Sequence, residues 1–315
     1  MVLAVSGSVS ATYTGDRPLI TAYSGEISGA YSFSTGNSSY SGTLHGGDAY
    51  SVEIPAGLPD GVSVEYSRLY VYWTWSRLEQ KGAYPSLIAT VLPDTSGPLV
   101  LKERYYDNKG FAGRNDYYTG MDVYEIAGLT GGDKSLTFIF TNSASDNRTI
   151  ILQGAAVLTV YSTSQGGKTM IWVDEGADLL YSNYGITPEM ATGRAEFSGE
   201  IPLSSVGSAH LLLVAPSGGY SQSAIAGKNG LYFNRGGEDA FPEYLRALLH
   251  ALFPRYGGKF WTDVFAADEV NQIGIESREV APYLHPAGNT VEVQDNGDYI
   301  LFTNAVLSVN LTGDE

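Results

Sequence analysis

Three acidic residues close together form the part of the sequence that comes nearest to a catalytic or metal-binding group. Asp174, Glu175 and Asp178 fall within one short stretch. Two carboxylates that flank a glycosidic bond can hydrolyse it, and carboxylate oxygens are the ligands that Ca²⁺ prefers. In an acidic chain such a group is also often only solvated. We therefore keep Ca²⁺ binding, at these three residues or at the predicted hairpin turn with Asp295, Asn296 and Asp298, and glycan hydrolysis as alternatives to a purely structural role.

Other catalytic patterns are missing from the sequence. The chain has no cysteine, so it has neither a thiolate nucleophile nor thiolate metal ligands. No Gly-x-Ser-x-Gly motif occurs, and the glycines of 128–132 precede a strand pattern rather than a helix, unlike those of a phosphate-binding loop. The histidines lack metal-ligand spacing; they are His45, His210, His250 and His285. We predict that the protein is not an enzyme and needs no cofactor, with Ca²⁺ as the one ion it could bind.

A tyrosine-rich stretch has the strongest potential for binding. It is aromatic, polar and broken by glycine, which predicts a structured loop over 104–118. Tyr and Arg dominate interface hot spots, and the same residues stack on sugar rings. The alternative is that these rings close the end of a β-sandwich. The tyrosines that we predict to mediate self-association are Tyr105, Tyr106, Tyr117 and Tyr118.

The N-terminal segment has the alternating pattern of a β-strand over residues 2–14. It could be the ordinary first strand of a sandwich. It could also be exchanged between subunits, because exposed terminal strands pair readily with other chains. The side chains on its apolar side, which we keep as further self-association candidates, are Leu3, Val5, Val9, Ala11 and Tyr13.

Charge and composition restrict the partners. The formal net charge of −16 repels nucleic acid and anionic lipid headgroups. No apolar stretch approaches the ~20 residues that cross a bilayer as a helix. Three Asn-x-Ser/Thr sequons suit an exported glycoprotein, although Ser- and Thr-rich sequences also produce them by chance. The possible glycosylation sites are Asn37, Asn147 and Asn310.

The arrangement of strand patterns is repeated in the chain. Residues 122–161 and 279–309 have the same order of strands and turns, and each ends in Ala-Val-Leu-(Thr/Ser)-Val. Many short strands separated by turns predict an all-β fold with two related jelly-roll or β-sandwich domains that arose by internal duplication. The Ser/Gly-rich segment 162–167 places the boundary, giving a first domain of 1–162 and a second of 163–315.

Two segments depart from the regular strand pattern. Residues 18–55 are rich in Gly, Ser and Tyr and predict short strands with long loops. Residues 241–253 predict a helix inserted in the second domain, with Asp239 as N-cap and Pro254 after its end. Its apolar stripe is expected to pack on that domain's sheet.

Three short motifs resemble a known family. Arg68-Leu69-Tyr70-Val71, Asp122-Val123 and Trp172-Val173-Asp174-Glu175-Gly176-Ala177-Asp178 are similar to segments of domain-of-unknown-function proteins found among surface and secreted proteins of methanogenic archaea. Tyr124 stands where that family usually has Thr, and Asp174 where it has Asn. The resemblance implies an extracellular, all-β protein of the cell envelope, and it supplies no catalytic residues.

Together these observations favour a structural protein. The leading hypothesis is an extracellular protein that self-assembles with copies of itself into a cell-surface structure such as a sheath, surface layer or filament. The alternative is a carbohydrate-binding or adhesive β-sandwich module whose partners are cell-surface glycans.

Overall fold

The computed structural model describes residues 13–92, 97–109, 117–126, 135–220, 226–236 and 257–312, together with residues 245, 248, 252 and 253. Across these ranges the fold is all-β and its strand pairs are antiparallel, which confirms the predicted class. No helix in the described part of the chain is long and apolar enough to cross a membrane.

The strands of the first half begin with a long one and end with a long one. They are β1 (Ile20–Ser34), β2 (Thr43–Leu44), β3 (Ala49–Ile54), β4 (Ser63–Leu78), β5 (Lys81–Gly82), β6 (Leu87–Leu92), β7 (Leu101–Asp107), β8 (Tyr118–Glu125), β9 (Leu136–Asn142) and β10 (Arg148–Ser162). The strands of the second half are β11 (Lys168–Leu180), β12 (Thr192–Glu200), β13 (Val206–Pro216), β14 (Asn229–Phe233), β15 (Lys259–Thr262), β16 (Ile273–Glu279), β17 (Ala287–Asp295) and β18 (Ile300–Leu311).

The central feature is one sheet whose two parts are joined by β1, which changes its pairing partner along its length. Residues 20–28 of β1 pair with β11, and residues 29–34 pair with β10. The sheet therefore has a first wing, β1-β10-β4-β8-β7, and a second wing, β1-β11-β18-β13-β16. Side chains of both wings, such as Tyr70 and Ile171, share one buried cluster, so the wings face each other.

Each wing also packs against a smaller outer sheet. Side chains alternate between the faces of a strand, so Leu69 and Trp73 of β4 face away from Tyr70. They join the outer sheet β3-β9-β6 in a second cluster. The other wing packs in the same way on β12-β17-β14-β15, where Phe197 and Phe233 are buried. The molecule is thus four β layers with three apolar interiors.

Equivalent strands of the two halves occupy equivalent places. The inner order β1-β10-β4-β8 matches β11-β18-β13-β16, and the outer order β3-β9-β6 matches β12-β17-β14. The repeated sequence lies in β8–β10 and in β16–β18. Residues 163–167 form the turn between β10 and β11, and Ser162 is the last residue of β10.

Three local predictions need correction. Residues 20–34 form one strand of 15 residues rather than short strands and loops, because β11 pairs with its first part and β10 with its second. Part of the expected loop at 104–118 is β7 and the start of β8, whose backbones pair with each other. The predicted helix at 241–253 lies mostly outside the described residues. Leu248, Leu252 and Phe253 of its stripe are more than half exposed, so these three do not pack on a sheet as expected.

Candidate binding cleft

A cleft of about 520 Å³ opens where the two halves meet. The backbone N–H of Tyr40 donates to the carbonyl of Val270 at 2.8 Å and joins the halves at this place. Seven of the described residues that line the cleft are aromatic. They are Tyr13, Tyr40, Trp75, Tyr181, Tyr184, Tyr220 and Tyr299, and the polar ones are Thr74, Ser217, Glu269, Gln272 and Asp298.

The cleft is distinguished by unusual backbone conformations. Seven described residues other than glycine have positive φ, a region that side chains with a Cβ rarely occupy. Four of them line the cleft: Trp75 (φ 54°), Tyr184 (53°), Ser217 (66°) and Tyr299 (71°). Strained backbone of this kind collects at functional sites, where the surrounding structure holds it in place.

Trp75 is presented by a β-bulge. Trp73 pairs with Gly120 and Ser76 with Tyr118, so Thr74 and Trp75 together oppose one residue of β8. A bulge re-aims the side chain it carries. Trp75 is 41% exposed, although residues 69–74 before it and Ser76 after it are buried. Its ring centroid lies 5.4 Å from that of Tyr117, which supports it from behind.

Tyr299 is positioned by a buried carboxylate in the turn before it. Asp295 Oδ1 accepts the backbone N–H groups of Asp298 (2.8 Å) and Tyr299 (2.7 Å), and Oδ2 accepts those of Gly297 (2.8 Å) and Ser182 (2.6 Å). Four such bonds fix the turn between β17 and β18 and hold it against the segment after β11. The local geometry therefore imposes the positive φ of Tyr299.

Two polar residues of the cleft wall are anchored from the interior. The Ser217 backbone N–H donates to the carbonyl of Gln272 at 2.8 Å, and its hydroxyl accepts Gln153 Nε2 at 2.7 Å. Asp298 Oδ2 accepts the N–H of Gly219 and Nδ2 of Asn229, each at 2.6 Å. Asp298 Oδ1 is buried and has no hydrogen-bond partner among the described residues. Burial raises the pKa of this carboxyl, although its hydrogen bonds with Asn229 and Gly219 counteract this.

Three tyrosines form the floor at one end. The rings of Tyr13 and Tyr181 meet edge to face at 5.7 Å, and those of Tyr181 and Tyr299 at 5.5 Å. Tyr184 adds a further edge contact with Tyr181 at 6.0 Å. The four rings therefore pack against one another at this end of the cleft. Aromatic faces and hydrogen-bonding groups in one concave site suit a ligand with both apolar and hydroxyl surfaces.

A larger and more open groove of about 810 Å³ lies elsewhere, beside Tyr31, Phe33, Leu212 and Ile275. Among the described residues that line this groove, Glu53 is the one with a carboxylate. Because it lacks a convergent polar group and strained backbone, we take the smaller cleft as the candidate site.

A buried lysine lies behind the tyrosine floor. Lys109 Nζ contacts Asp107 Oδ2 at 2.6 Å and Asp178 Oδ1 at 3.3 Å, and it also pairs with Asp16. It donates to the carbonyl of Thr14 at 3.0 Å. The carboxylates of Asp16, Asp107 and Asp178 come close enough to hold a metal ion. The lysine ammonium already supplies the positive charge at their centre.

The three acidic residues singled out in the sequence do not converge. Glu175 lies between the wings, where its Oε1 accepts Tyr66 Oη at 2.7 Å and Tyr70 Oη at 2.8 Å. Asp174 precedes it in β11 and therefore faces the other side of the strand. Asp178 belongs to the Lys109 cluster. A shared Ca²⁺ site of Asp174, Glu175 and Asp178 would need their oxygens together, and the fold separates them.

The predicted self-association tyrosines are mostly used inside the fold. Tyr105 Oη donates to Glu175 Oε2 at 3.4 Å, and the rings of Tyr106 and Tyr118 stack at 5.9 Å. Tyr117 contacts Trp75, and Tyr13 lines the cleft. The other four N-terminal candidates, Leu3, Val5, Val9 and Ala11, lie outside the described residues. The sequon residues Asn37, Asn147 and Asn310 are all exposed, so glycosylation there stays a prediction.

Sequence reasoning did not predict that the residues that distinguish the cleft share one site: Trp75, Ser217, Asp298 and Tyr299. Two weak signals were present. The segments 215–219 and 295–298 have turn composition, and an aromatic residue directly follows each, at Tyr220 and Tyr299. Only the long-range pairing of the two halves brings these turns together.

Comparison with solved structures gives remote matches. A β-porphyranase of glycoside hydrolase family 86 from Bacteroides plebeius is 12% identical with a TM-score of 0.24, and the alignment covers 86% of this chain and 36% of that one. Dimeric latent PorU from Porphyromonas gingivalis is 9% identical with a TM-score of 0.29, covering 94% and 23%. The major capsid protein P2 of bacteriophage PM2 is 10% identical with a TM-score of 0.21, covering 90% and 99%. The chain spans well under two thirds of the first two, and similarity this low supports no conclusion about function.

No curated protein matches the sequence. A family model described as a protein of unknown function (DUF3344) matches residues 12–310.

Proposed function

Because the chain belongs to the DUF3344 family of unknown function, its own cleft is the guide to activity, and we propose that the protein binds glycans there. The protein would be an extracellular surface module that recognises neutral sugars and does not cleave them.

The observation that carries this proposal is the concentration of strained backbone in one aromatic cleft. Trp75, Tyr184, Ser217 and Tyr299 each have positive φ and line the same cleft. Each such residue costs on the order of 1–3 kcal/mol of stability, which persists only where the surroundings hold it. A cleft with only a structural role would not explain why four such residues occur together. A binding site would explain it, because its side chains must be held at fixed angles.

The chemistry of the cleft fits a neutral sugar. The face of a pyranose ring has C–H groups that pack on an aromatic ring, while its edge has hydroxyl groups. Asp298 Oδ1 is a buried acceptor without a partner in the described structure, and Glu269 and Gln272 offer further polar groups. The net charge of −16 works against an anionic ligand.

We also propose that the two halves are jelly rolls related by internal duplication. The matching strand orders of the inner and outer sheets support this, as does the repeated sequence at 122–161 and 279–309. The cleft then forms between the two copies, from turns that differ between them.

The test is titration of the full chain with neutral oligosaccharides of glucose, galactose, mannose and N-acetylglucosamine. We expect Trp75→Gly to weaken binding about tenfold or more, because the indole is lost. Glycine tolerates positive φ, so we expect this variant to remain folded.

Glu79→Gly is the matched control. Glu79 also has positive φ (55°) but does not line the cleft, so its replacement should leave affinity unchanged. Recovered oligosaccharide should be intact, and a cleaved product would favour the hydrolase alternative. Failure of the wild type to bind any sugar of the panel would contradict the proposal.

Self-assembly is a second candidate function, favoured by one exposed apolar patch. Ile88 and Leu92 lie on the outward face of β6. The segment with Val100 and Leu101 lies beside β6, because the Leu99 N–H donates to the carbonyl of Ala89 at 2.7 Å. All four are at least 40% exposed.

Electron microscopy should show ordered polymers that Val100→Ser abolishes, while Val270→Ser, at a separate exposed valine, leaves them intact. Monodisperse wild-type particles would count against assembly.

A further inference from the structure

Lys109 and Asp178 place an amine beside a carboxyl group in the interior, away from the cleft opening. The Lys109 side chain is 3% exposed and that of Asp178 is fully buried. Their nearest atoms, Nζ and Oδ1, are 3.3 Å apart. Asp107 Oδ2 lies 2.6 Å from the same Nζ. A buried amine, an electrophilic carbon and a second carboxylate in contact are the groups that amide formation needs.

We propose that Lys109 and Asp178 form an intramolecular amide bond between their side chains. The bond would join the segment after β7 to β11, and so connect the two halves covalently. It would be a modification site in a chain that has no cysteine and therefore no disulfide.

The step balances without any outside reagent. Asp107 takes one proton from the Lys109 ammonium, and the free Nζ attacks Cγ of neutral Asp178. The C–OH bond of Asp178 breaks, and the hydroxyl leaves as water with a second proton from nitrogen. The products are the amide, one water molecule and a protonated Asp107, and the total charge of the three groups stays at zero.

The surroundings suit these roles. Burial raises the pKa of Asp178 to about 7, so its neutral form is available near neutral pH. Burial lowers the pKa of Lys109, but the charges of Asp107 and Asp178 outweigh this and raise it, so the amine needs a base in contact. Asp107 is that base, and Leu179 N–H (2.9 Å) and Arg17 Nε (3.5 Å) fix its orientation.

The remaining atoms also fit the product. Asp178 Oδ2 is buried with no donor in the part of the chain that the structure describes. That is costly for an ionised carboxylate and less so for an amide carbonyl. The one hydrogen left on Nζ can donate to the carbonyl of Thr14, which is 3.0 Å away.

Intact mass spectrometry of the purified wild-type chain tests the proposal. We expect a mass about 18 Da below that of the sequence, which is the loss of one water. Trypsin should then release a branched peptide that joins 105–114 to 169–194, uncut after Lys109. A mass equal to that of the sequence would overturn the proposal.

Variants identify the acceptor independently of stability. Asp178→Asn should lose ammonia instead, about 17 Da, because the leaving group changes. Lys109→Arg keeps the positive charge and should show no loss. Asp107→Asn should slow or stop the reaction, because the base is gone. A loss of about 17 Da in Asp107→Asn with the wild-type loss in Asp178→Asn would assign the bond to Asp107 and overturn the pairing proposed.

Discussion

Asp174 differs from the other buried carboxylates of the inner sheet in its surroundings. Neither of its oxygens has a hydrogen-bond partner of good geometry among the described residues, and the residue is fully buried. Burial raises its pKa to about 6, and the Thr21 hydroxyl and the Glu196 backbone counteract this only in part. Ionising this group therefore costs stability.

The pH dependence follows from the direction of that shift. A folded-state pKa above the ordinary value of 3.8 means that the folded protein holds the proton more tightly than the unfolded chain. The free energy of unfolding should therefore fall as the pH rises from about 4 to about 6. The free energy of unfolding should fall by about 3 kcal/mol at most.

Comparison with Asp174→Asn isolates this contribution, since the amide does not ionise. The variant should gain stability relative to the wild type as pH rises, measured by urea denaturation at several pH values. Asp60→Asn, at an exposed turn, is the control and should follow the wild type. Parallel curves for wild type and Asp174→Asn would show that Asp174 does not carry the effect.

Sequence analysis located stretches rich in functional groups better than it predicted the surroundings of each side chain. The stretch around Asp174 was correctly singled out as rich in carboxylates. Its three carboxylates nevertheless enter three different surroundings, because alternation and a register shift between Glu175 and Asp178 send them to different sides of β11. The identity of a neighbour such as Lys109, 69 residues away, cannot be read from local spacing.

At the scale of elements, β1 is the strand on which both wings depend. It changes partner between Ser28, opposite Lys168 of β11, and Gly29, opposite Ser162 of β10. The backbones come close at this point. A Cβ on Gly29 would lie 2.0 Å from the carbonyl oxygen of Tyr161, which no side-chain adjustment can relieve.

Gly29→Ala should therefore destabilise the whole protein by about 2 kcal/mol or more. Gly25→Ala in the same strand is a matched control, because its Cβ would meet only the hydroxyl end of Tyr23, at 3.0 Å. We expect that change to cost less than about 1 kcal/mol, since the tyrosine can move. Chemical denaturation measures both. Equal stabilities would mean that the partner switch at Gly29 tolerates a side chain.

The sequence indicated most strands but not β1, for a physical reason. Alternating large apolar residues mark β4 and β13, whereas β1 has Gly, Ser and Tyr on faces that are only half buried. Hydrophobic periodicity is weak in such a strand, although its backbone pairs with β11 over residues 20–28 and with β10 over residues 29–34. The cleft was missed for the same reason, since it depends on a bulge and two turns rather than on a periodic pattern.

At the scale of the whole molecule, polar contacts join the two wings across their apolar interface. Tyr66 and Tyr70 of the first wing both donate to Glu175 of the second. Tyr72 Oη donates to Asn304 Oδ1 at 2.9 Å in the same way. Removing one partner of a buried hydrogen bond leaves the other unsatisfied, which costs stability. The wings should therefore unfold together.

The four tryptophans allow this to be measured, because Trp73 and Trp75 report on the first half and Trp172 and Trp261 on the second. One variant replaces Trp73 and Trp75 by Phe and so reports on the second half, and another replaces Trp172 and Trp261 by Phe and reports on the first. In each variant, tryptophan fluorescence and circular dichroism should follow the same unfolding transition. Glu175→Ala should lower the midpoint for both reporters together, because it removes the shared acceptor of Tyr66 and Tyr70. Two separate transitions in the otherwise unchanged chain would mean that each half is stable alone. The interface would then be a docking surface between two domains rather than a common core.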